Sequence, residues 1–179
     1  MADGTNSTQN AWYVMRTIFG TEMRTKRKLE ADGIRTFLPM RERIRTIGGH
    51  RVKTQEPAIG NMLFVYSDQQ TLMPYTNAES RFQFTYRRGH RADDPLTVPS
   101  WQMEQFISAV DNSQHPLYFL PTELNIAKGT RIRLHGGILD GMEGCYMRVK
   151  GSRSRRLIVE LPGTLSVAVE VEPDLVEIL

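Results

Sequence analysis

The sequence predicts an α+β protein in two parts: an antiparallel sheet with helices, followed by a small all-strand barrel. Three observations carry this expectation. Over residues 11–115, runs of period 2 alternate with three stretches of helical character, one of them short. From residue 125 onward only short alternating runs remain, separated by Gly and Pro turns. The 179 residues are 40% apolar, and a chain of this size buries roughly 70% of its unfolded surface, enough for one ordinary domain or two small ones. The same composition excludes a disordered tail, a collagen-like repeat and a membrane-spanning chain, since no apolar run nears the roughly 20 residues a spanning helix needs.

The first element, Trp12-Tyr13-Val14-Met15-Arg16-Thr17-Ile18, is β-branched and aromatic and reads as a buried strand. A helix over residues 22–31 follows, with Thr21 as N-cap, Glu22 in its first turn, and Gly33 at the C′ position with Ile34 packing back. Its apolar stripe is thin, so docking on a sheet must hold it. A second strand starts at Arg35-Thr36-Phe37 and runs on to Ile47 and the Gly48-Gly49 pair, a two-residue hairpin signal. With Ile47 facing His50, one face of the ribbon carries Arg43, Arg45, Ile47, His50 and Val52. The other carries Glu42, Ile44, Thr46, Arg51 and Lys53. Neither face can be core, so the ribbon is expected to project.

Met62-Leu63-Phe64-Val65-Tyr66 is a strand for the centre of a sheet. Asp68 caps a short helical stretch over residues 69–73, which Pro74 ends or kinks. Residues 81–88 alternate Phe82, Phe84 and Tyr86 with Gln83, Thr85 and Arg87, a half-buried strand with one aromatic face that reads as core. Residues 89–97 are turn-rich. Ser100 then caps a helix with Met103, Phe106, Ile107 and Val110 on one stripe. His115-Pro116 and Pro121 bracket a connector, giving expected limits of 1–10 for a disordered N-terminus, 11–115 for the first domain, 116–124 for the linker and 125–179 for the second domain.

The second part holds alternating runs at 129–134, 145–149, 157–161 and 167–171, with a final Leu175-Val176-Glu177-Ile178 to close the sheet. Closure suits so many short strands because it removes exposed edges. The order of the first part, β-α-β-β-α-β with an added helix, is that of a ferredoxin-like α+β sandwich.

Charge is unevenly placed. The chain carries +3 overall, yet residues 16–53 hold eleven basic side chains against four acidic ones. That local excess is the footprint of a polyanion binder, or else of a solvated charged face. The candidates for a nucleic-acid surface are Arg16, Arg24, Lys26 and Arg27 with Arg43, Arg45, Arg51 and Lys53 of the ribbon. Arg153, Arg155 and Arg156 make a smaller patch on the barrel, an RNA contact or a solvated loop. A single cysteine, Cys145, allows neither an internal disulfide nor a cysteine zinc site, and the four histidines have no metal-ligand spacing. No catalytic residue, metal or cofactor is expected. Residues 1–9 are polar with no basic start or apolar middle, so a soluble chain in a reducing cytoplasm is expected.

Several stretches together resemble the NusG family of transcription elongation factors, and among its paralogues the UpxY-type antiterminators. Trp12-Tyr13 matches the family's first strand, and Pro57-Ala58-Ile59-Gly60-Asn61-Met62-Leu63-Phe64-Val65 is similar to its proline loop leading into a Phe-Val strand. Val98-Pro99-Ser100-Trp101-Gln102-Met103 resembles the start of the UpxY helix. Gly137-Ile138-Leu139-Asp140-Gly141-Met142-Glu143-Gly144 looks like a KOW motif, though it begins Gly-Gly-Ile where many relatives have Gly-Pro-Phe. Each motif is weak alone; their order and spacing are specific.

The resemblance implies an NGN domain followed by an SH3-like KOW barrel, in a non-enzymatic factor. It implies that the NGN domain binds the RNA polymerase clamp helices and the opposite side of the cleft, suppressing pausing or termination. It further implies specific operons such as those for surface polysaccharides, and an exposed DNA strand or nascent RNA as a second contact. A ribosomal protein or termination factor would meet the KOW domain. Tyr13 matches the aromatic of the docking surface, where an aspartate is expected to block recruitment. Phe84 and Tyr86 carry over to the same surface, and Met73, Pro74, Tyr75 and Thr76 to the contact across the cleft. Two other classes stand beside this one. A stand-alone RNA-binding or ribosome-associated KOW protein leaves the first domain without a role, and an enzyme has only Cys145 to offer as nucleophile.

Overall fold

The computed structural model describes residues 9–87 and 94–179. Residues 1–8 of the expected disordered N-terminus, and the part of the turn-rich stretch that includes His90, lie outside them. The chain divides into two compact units, Met1–Ser100 and Trp101–Leu179. Every strand pair in both is antiparallel, as the α+β reading requires. No helix among the described residues is long and apolar enough to cross a membrane.

In the first unit, β1 (Ala11–Arg16) leads into α1 (Glu22–Ala31), whose limits are those read from the caps. Gly33 at C′ donates its N–H to the Glu30 carbonyl and Ile34 N–H reaches the Leu29 carbonyl, so Ile34 folds back onto Leu29 in the core. The N-terminus is built differently from the expectation. The Thr21 hydroxyl donates to the Ile18 carbonyl and caps nothing in the helix. The buried Glu22 carboxylate instead accepts from the backbone N–H of Gly20 at 3.1 Å and of Asn61 at 2.7 Å, tying the helix start to the proline loop.

The strand expected from Arg35 to Ile47 is two strands, β2 (Arg35–Phe37) and β3 (Met40–Ile47), because Pro39 has no N–H to continue a ladder. β3 forms a two-stranded sheet with β4 (His50–Pro57), and Gly48 and Gly49 at φ +57° and +83° supply the left-handed turn that such a hairpin needs. β5 (Met62–Ser67) lies between β2 and β1, and its Leu63, Phe64 and Val65 are fully buried. The Asp68 carboxylate accepts from Thr71 N–H and caps α2 (Gln69–Leu72), and Pro74 passes the chain into a 3₁₀ turn, Met73–Tyr75. The aromatic run of residues 81–88 is less regular than its alternation suggests. Only β6 (Gln83–Phe84) is strand; Phe82 and Phe84 are buried, and Tyr86 is 44% exposed. β7 (Thr97–Val98) completes the sheet on β1. Tyr13, Met15, Leu29, Leu63, Leu72 and Phe82 make the core, each worth roughly 1.5–3 kcal/mol when fully buried.

α3 (Ser100–Asp111) starts at the division between the units and buries Met103, Phe106 and Ala109. The second unit is one six-stranded sheet. The stretch read as a connector contributes β8 (Leu117–Phe119), which is followed by β9 (Thr130–Leu134), β10 (Glu143–Arg148), β11 (Arg155–Leu161), β12 (Leu165–Val169) and β13 (Val176–Ile178). The strand order is β13-β9-β10-β11-β12-β8. One face carries Ile132, Leu134, Leu157, Val159, Leu161, Val167 and Val169, all buried. The other carries Cys145, Ile158 and Ala168, and Leu117, Phe119 and Leu124 of the former connector pack against it together with Ile126. Gly144 allows β10 to approach β11, since a Cβ there would stand 2.5 Å from the Ile158 carbonyl oxygen.

Candidate functional site

The ribbon β3–β4 has the register its glycine pair dictates, Ile47 opposite His50, Arg45 opposite Val52 and Ile44 opposite Lys53. Nearly all of it is exposed on both faces. The arginine face is organised by a residue the sequence reading passed over, Glu56. Its carboxylate accepts from Arg41 Nη2 at 2.8 Å, Arg45 Nη2 at 2.9 Å and Arg43 Nη1 at 3.3 Å. The Arg45 and Arg41 hydrogen bonds hold its pKa down, from 4.5 to about 2. One carboxylate thus holds three guanidinium groups in line along the ribbon and leaves a net positive face. The missed signal was present: the register that pairs Ile47 with His50 also sets Arg41 opposite Glu56.

The remaining first-unit cations do not form one surface with this face. Lys53 lies on the opposite face beside Glu42 at 3.4 Å, and Arg51 shares that face without an ion pair among the described residues. Arg24 and Arg27 are exposed on α1, while Lys26 is paired with Glu30, whose carboxyl is held below its ordinary value chiefly by that hydrogen bond. Arg24 and Lys28 line a cleft of about 400 Å³ with Ile18, Tyr75 and Phe82.

Arg16 belongs elsewhere. It lines a groove of about 550 Å³ with Met73, Thr76, Gln83, Phe84, Thr85 and Tyr86, which unites four of the seven expected docking residues. Met73 and Tyr86 are the exposed apolar members, at 57% and 44%. Gln83 and Thr85 were missed because alternation puts them opposite the aromatics without saying which face is open. Tyr75 turns toward α1, where its hydroxyl donates to Asp32 at 2.6 Å, a bond that raises its pKa. Pro74 is exposed between the two.

Tyr13 requires a correction. It is 2% exposed, packs edge-on against Phe84 at 5.2 Å between ring centroids, and has a pKa raised by burial. It supports the groove from beneath and has no surface to offer a partner. Phe84 is likewise buried, with only its margin at the groove.

The barrel arginines separate sharply. Arg153 and Arg155 are exposed. Arg156 is 5% exposed, and its guanidinium donates to Ser152 Oγ at 3.0 Å, the His115 carbonyl at 2.5 Å, the Ala168 carbonyl at 3.3 Å and Glu170 Oε1 at 2.6 Å. It clamps the segment before β8 onto the sheet and is not open to a nucleic acid. Cys145 is also structural: buried, with its thiol donating to the Ile126 carbonyl and its pKa raised by burial, the reverse of an activated nucleophile.

The chain is similar to two solved structures over most of its length. A structure describing domain interaction in Thermotoga maritima NusG is 16% identical, with 94% of this chain and 97% of that one covered and a TM-score of 0.47. The MjSpt4:Spt5 complex in conformation A is 15% identical over the same shares, with a TM-score of 0.28. No curated protein matches. The family described as transcription termination factor nusG matches residues 10–107, more than half of the chain and nearly all of the unit that holds the groove and the ribbon. The chain is a member of the NusG family, non-enzymatic transcription factors.

Proposed function

We propose that this NusG-family chain is a specialised, UpxY-type antiterminator that binds RNA polymerase through its first domain, proposed to span residues 11–115, and suppresses pausing or termination on particular operons in the cytoplasm. The observation that carries the reading is the groove in which Met73, Thr76, Phe84 and Tyr86 come together. Exposed apolar side chains beside a cation suit a protein surface of apolar centre and acidic rim. The ribbon, basic and solvated on both faces, supports a second contact with an exposed DNA strand or nascent RNA. Its charge supplies affinity there, and base contacts would have to supply any specificity.

The test is recruitment to core RNA polymerase and pause duration in vitro. Tyr86→Asp and Met73→Asp, both at exposed positions, are expected to abolish co-purification with polymerase while leaving thermal unfolding unchanged, because each puts an unpaired charge in an apolar contact. Unchanged pausing at saturating factor would sink the proposal. So would association with ribosomes that persists when transcription is blocked, the behaviour of a stand-alone KOW protein.

A further inference from the structure

β10 and β11 are paired so that Arg148 stands directly opposite Arg155. Like charges in that relation destabilise a sheet. Elsewhere this sheet follows the opposite rule. Arg133 faces Glu143 and is ion-paired with it, Arg131 joins the same carboxylate at 3.4 Å, and His135 meets Glu177 at 2.5 Å. Arg148 and Arg155 have no ion pair among the described residues. A third cation, Lys128, closes the turn before β9, and Tyr146 and Thr130 are a directly opposed pair on the neighbouring strands. These side chains and Met147 line a groove of about 300 Å³ to which no carboxylate among the described residues contributes. A site where a local rule is broken without compensation inside the fold marks a place prepared for something outside it.

We infer that this groove on the second unit binds single-stranded nucleic acid, with Lys128, Arg148 and Arg155 on successive phosphates and the Tyr146 ring stacking on a base. Three cations alone would suit any polyanion. The half-buried tyrosine beside them adds a flat apolar face on which a base can stack, next to cations spaced for a backbone. The barrel contact is therefore not the contiguous Arg153, Arg155 and Arg156 of the sequence, because Arg156 is held inside the fold and Arg148 and Lys128 take its place. The inference is independent of polymerase binding, and it can fail while the ribbon still binds nucleic acid.

The experiment titrates fluorescent twelve-nucleotide oligouridylate and oligothymidylate into the full chain, in a background where Arg43, Arg45, Arg51 and Lys53 are glutamine so that the ribbon does not mask the barrel. Arg148→Gln with Arg155→Gln is expected to lower the slope of log affinity against log salt by about 1.4, about 0.7 for each phosphate no longer neutralised. Tyr146→Leu, which keeps the buried bulk, is expected to weaken binding roughly five- to a hundredfold. Weaker binding of either oligonucleotide by both variants supports the inference, and the tighter of the two oligonucleotides identifies the strand. An unchanged salt slope in the double variant overturns it. Polyglutamate binding that depends on the arginines, together with oligonucleotide binding indifferent to Tyr146, would also overturn it in favour of an acidic protein partner.

Discussion

Arg155 and Arg156 are adjacent and chemically identical, and the structure gives them opposite consequences on substitution. Arg156→Ala removes four hydrogen bonds from a guanidinium that is 5% exposed. Bonds to a charged group contribute about 1.5–3 kcal/mol each, but they do not add in full. Glu170 is half exposed and regains water, and the His115 carbonyl and the Ser152 hydroxyl belong to residues that solvent also reaches, while the Ala168 carbonyl is buried and loses this donor without gaining water. The net cost is therefore about 2–4 kcal/mol, below the 3–5 kcal/mol of a fully buried broken pair. For a unit of this size each kcal/mol moves the midpoint by roughly 4–8 °C, so calorimetry of the full chain should show the second-unit transition lowered by about 10 °C or more. Arg156→Lys, with a point charge in place of a fork, should recover only part of this. Arg155→Ala should fall within about 0.5 kcal/mol of the parent, on the stabilising side, because it relieves the repulsion from Arg148. An Arg156→Ala chain that melts like the parent yet binds oligonucleotides more weakly would refute the clamp.

Three further outcomes are expected. Tyr13→Asp places a carboxylate in the first-unit core and should cost more than about 3 kcal/mol in urea unfolding, so any loss of polymerase binding would follow from unfolding; a soluble variant of parental stability would contradict the burial. The depressed pKa of Glu56 means that the ribbon ion cluster contributes in full above about its ordinary 4.5 and is lost as pH falls through about 2. Amide-exchange protection of the ribbon should decline across that window in the parent and not in Glu56→Gln, and Glu56→Gln at neutral pH should bind oligonucleotides more tightly because its arginines are released. Gly144→Ala drives a Cβ to within 2.5 Å of the Ile158 carbonyl oxygen and should destabilise the barrel by about 1–3 kcal/mol, read by the same calorimetry.

What the sequence disclosed follows from how each feature is determined. The ribbon was legible to the residue, because a two-glycine turn fixes the register and the register fixes every opposed pair. The limits of α1 were legible because Gly33 and Ile34 act locally, whereas its true N-terminal partner, Glu22 on Asn61, spans 39 residues and leaves no local trace. The docking surface was half legible. Alternation sorts Tyr13 and Phe84 onto a face but does not say that the face is covered; Tyr86 is exposed beyond the end of β6, and Met73 is exposed in the 3₁₀ turn that Pro74 opens.

The barrel arginines show the same limit more severely. Period-2 reasoning over residues 155–161 puts Arg155 with Leu157, Val159 and Leu161 on the apolar face and Arg156 on the solvent face, so it would bury the wrong arginine. Arg155 stays exposed because it is the first residue of β11, at the end of the apolar face. Arg156 is buried where β8 extends the sheet beside β12 and the residues before it bring the His115 carbonyl onto the guanidinium, and β8 came from three residues between two prolines that offered no periodicity to read. One unrecognised strand thus changed the expected role of an arginine about forty residues away in sequence. The residues that bind it, Ser152, His115, Ala168 and Glu170, become a site only after the fold has formed.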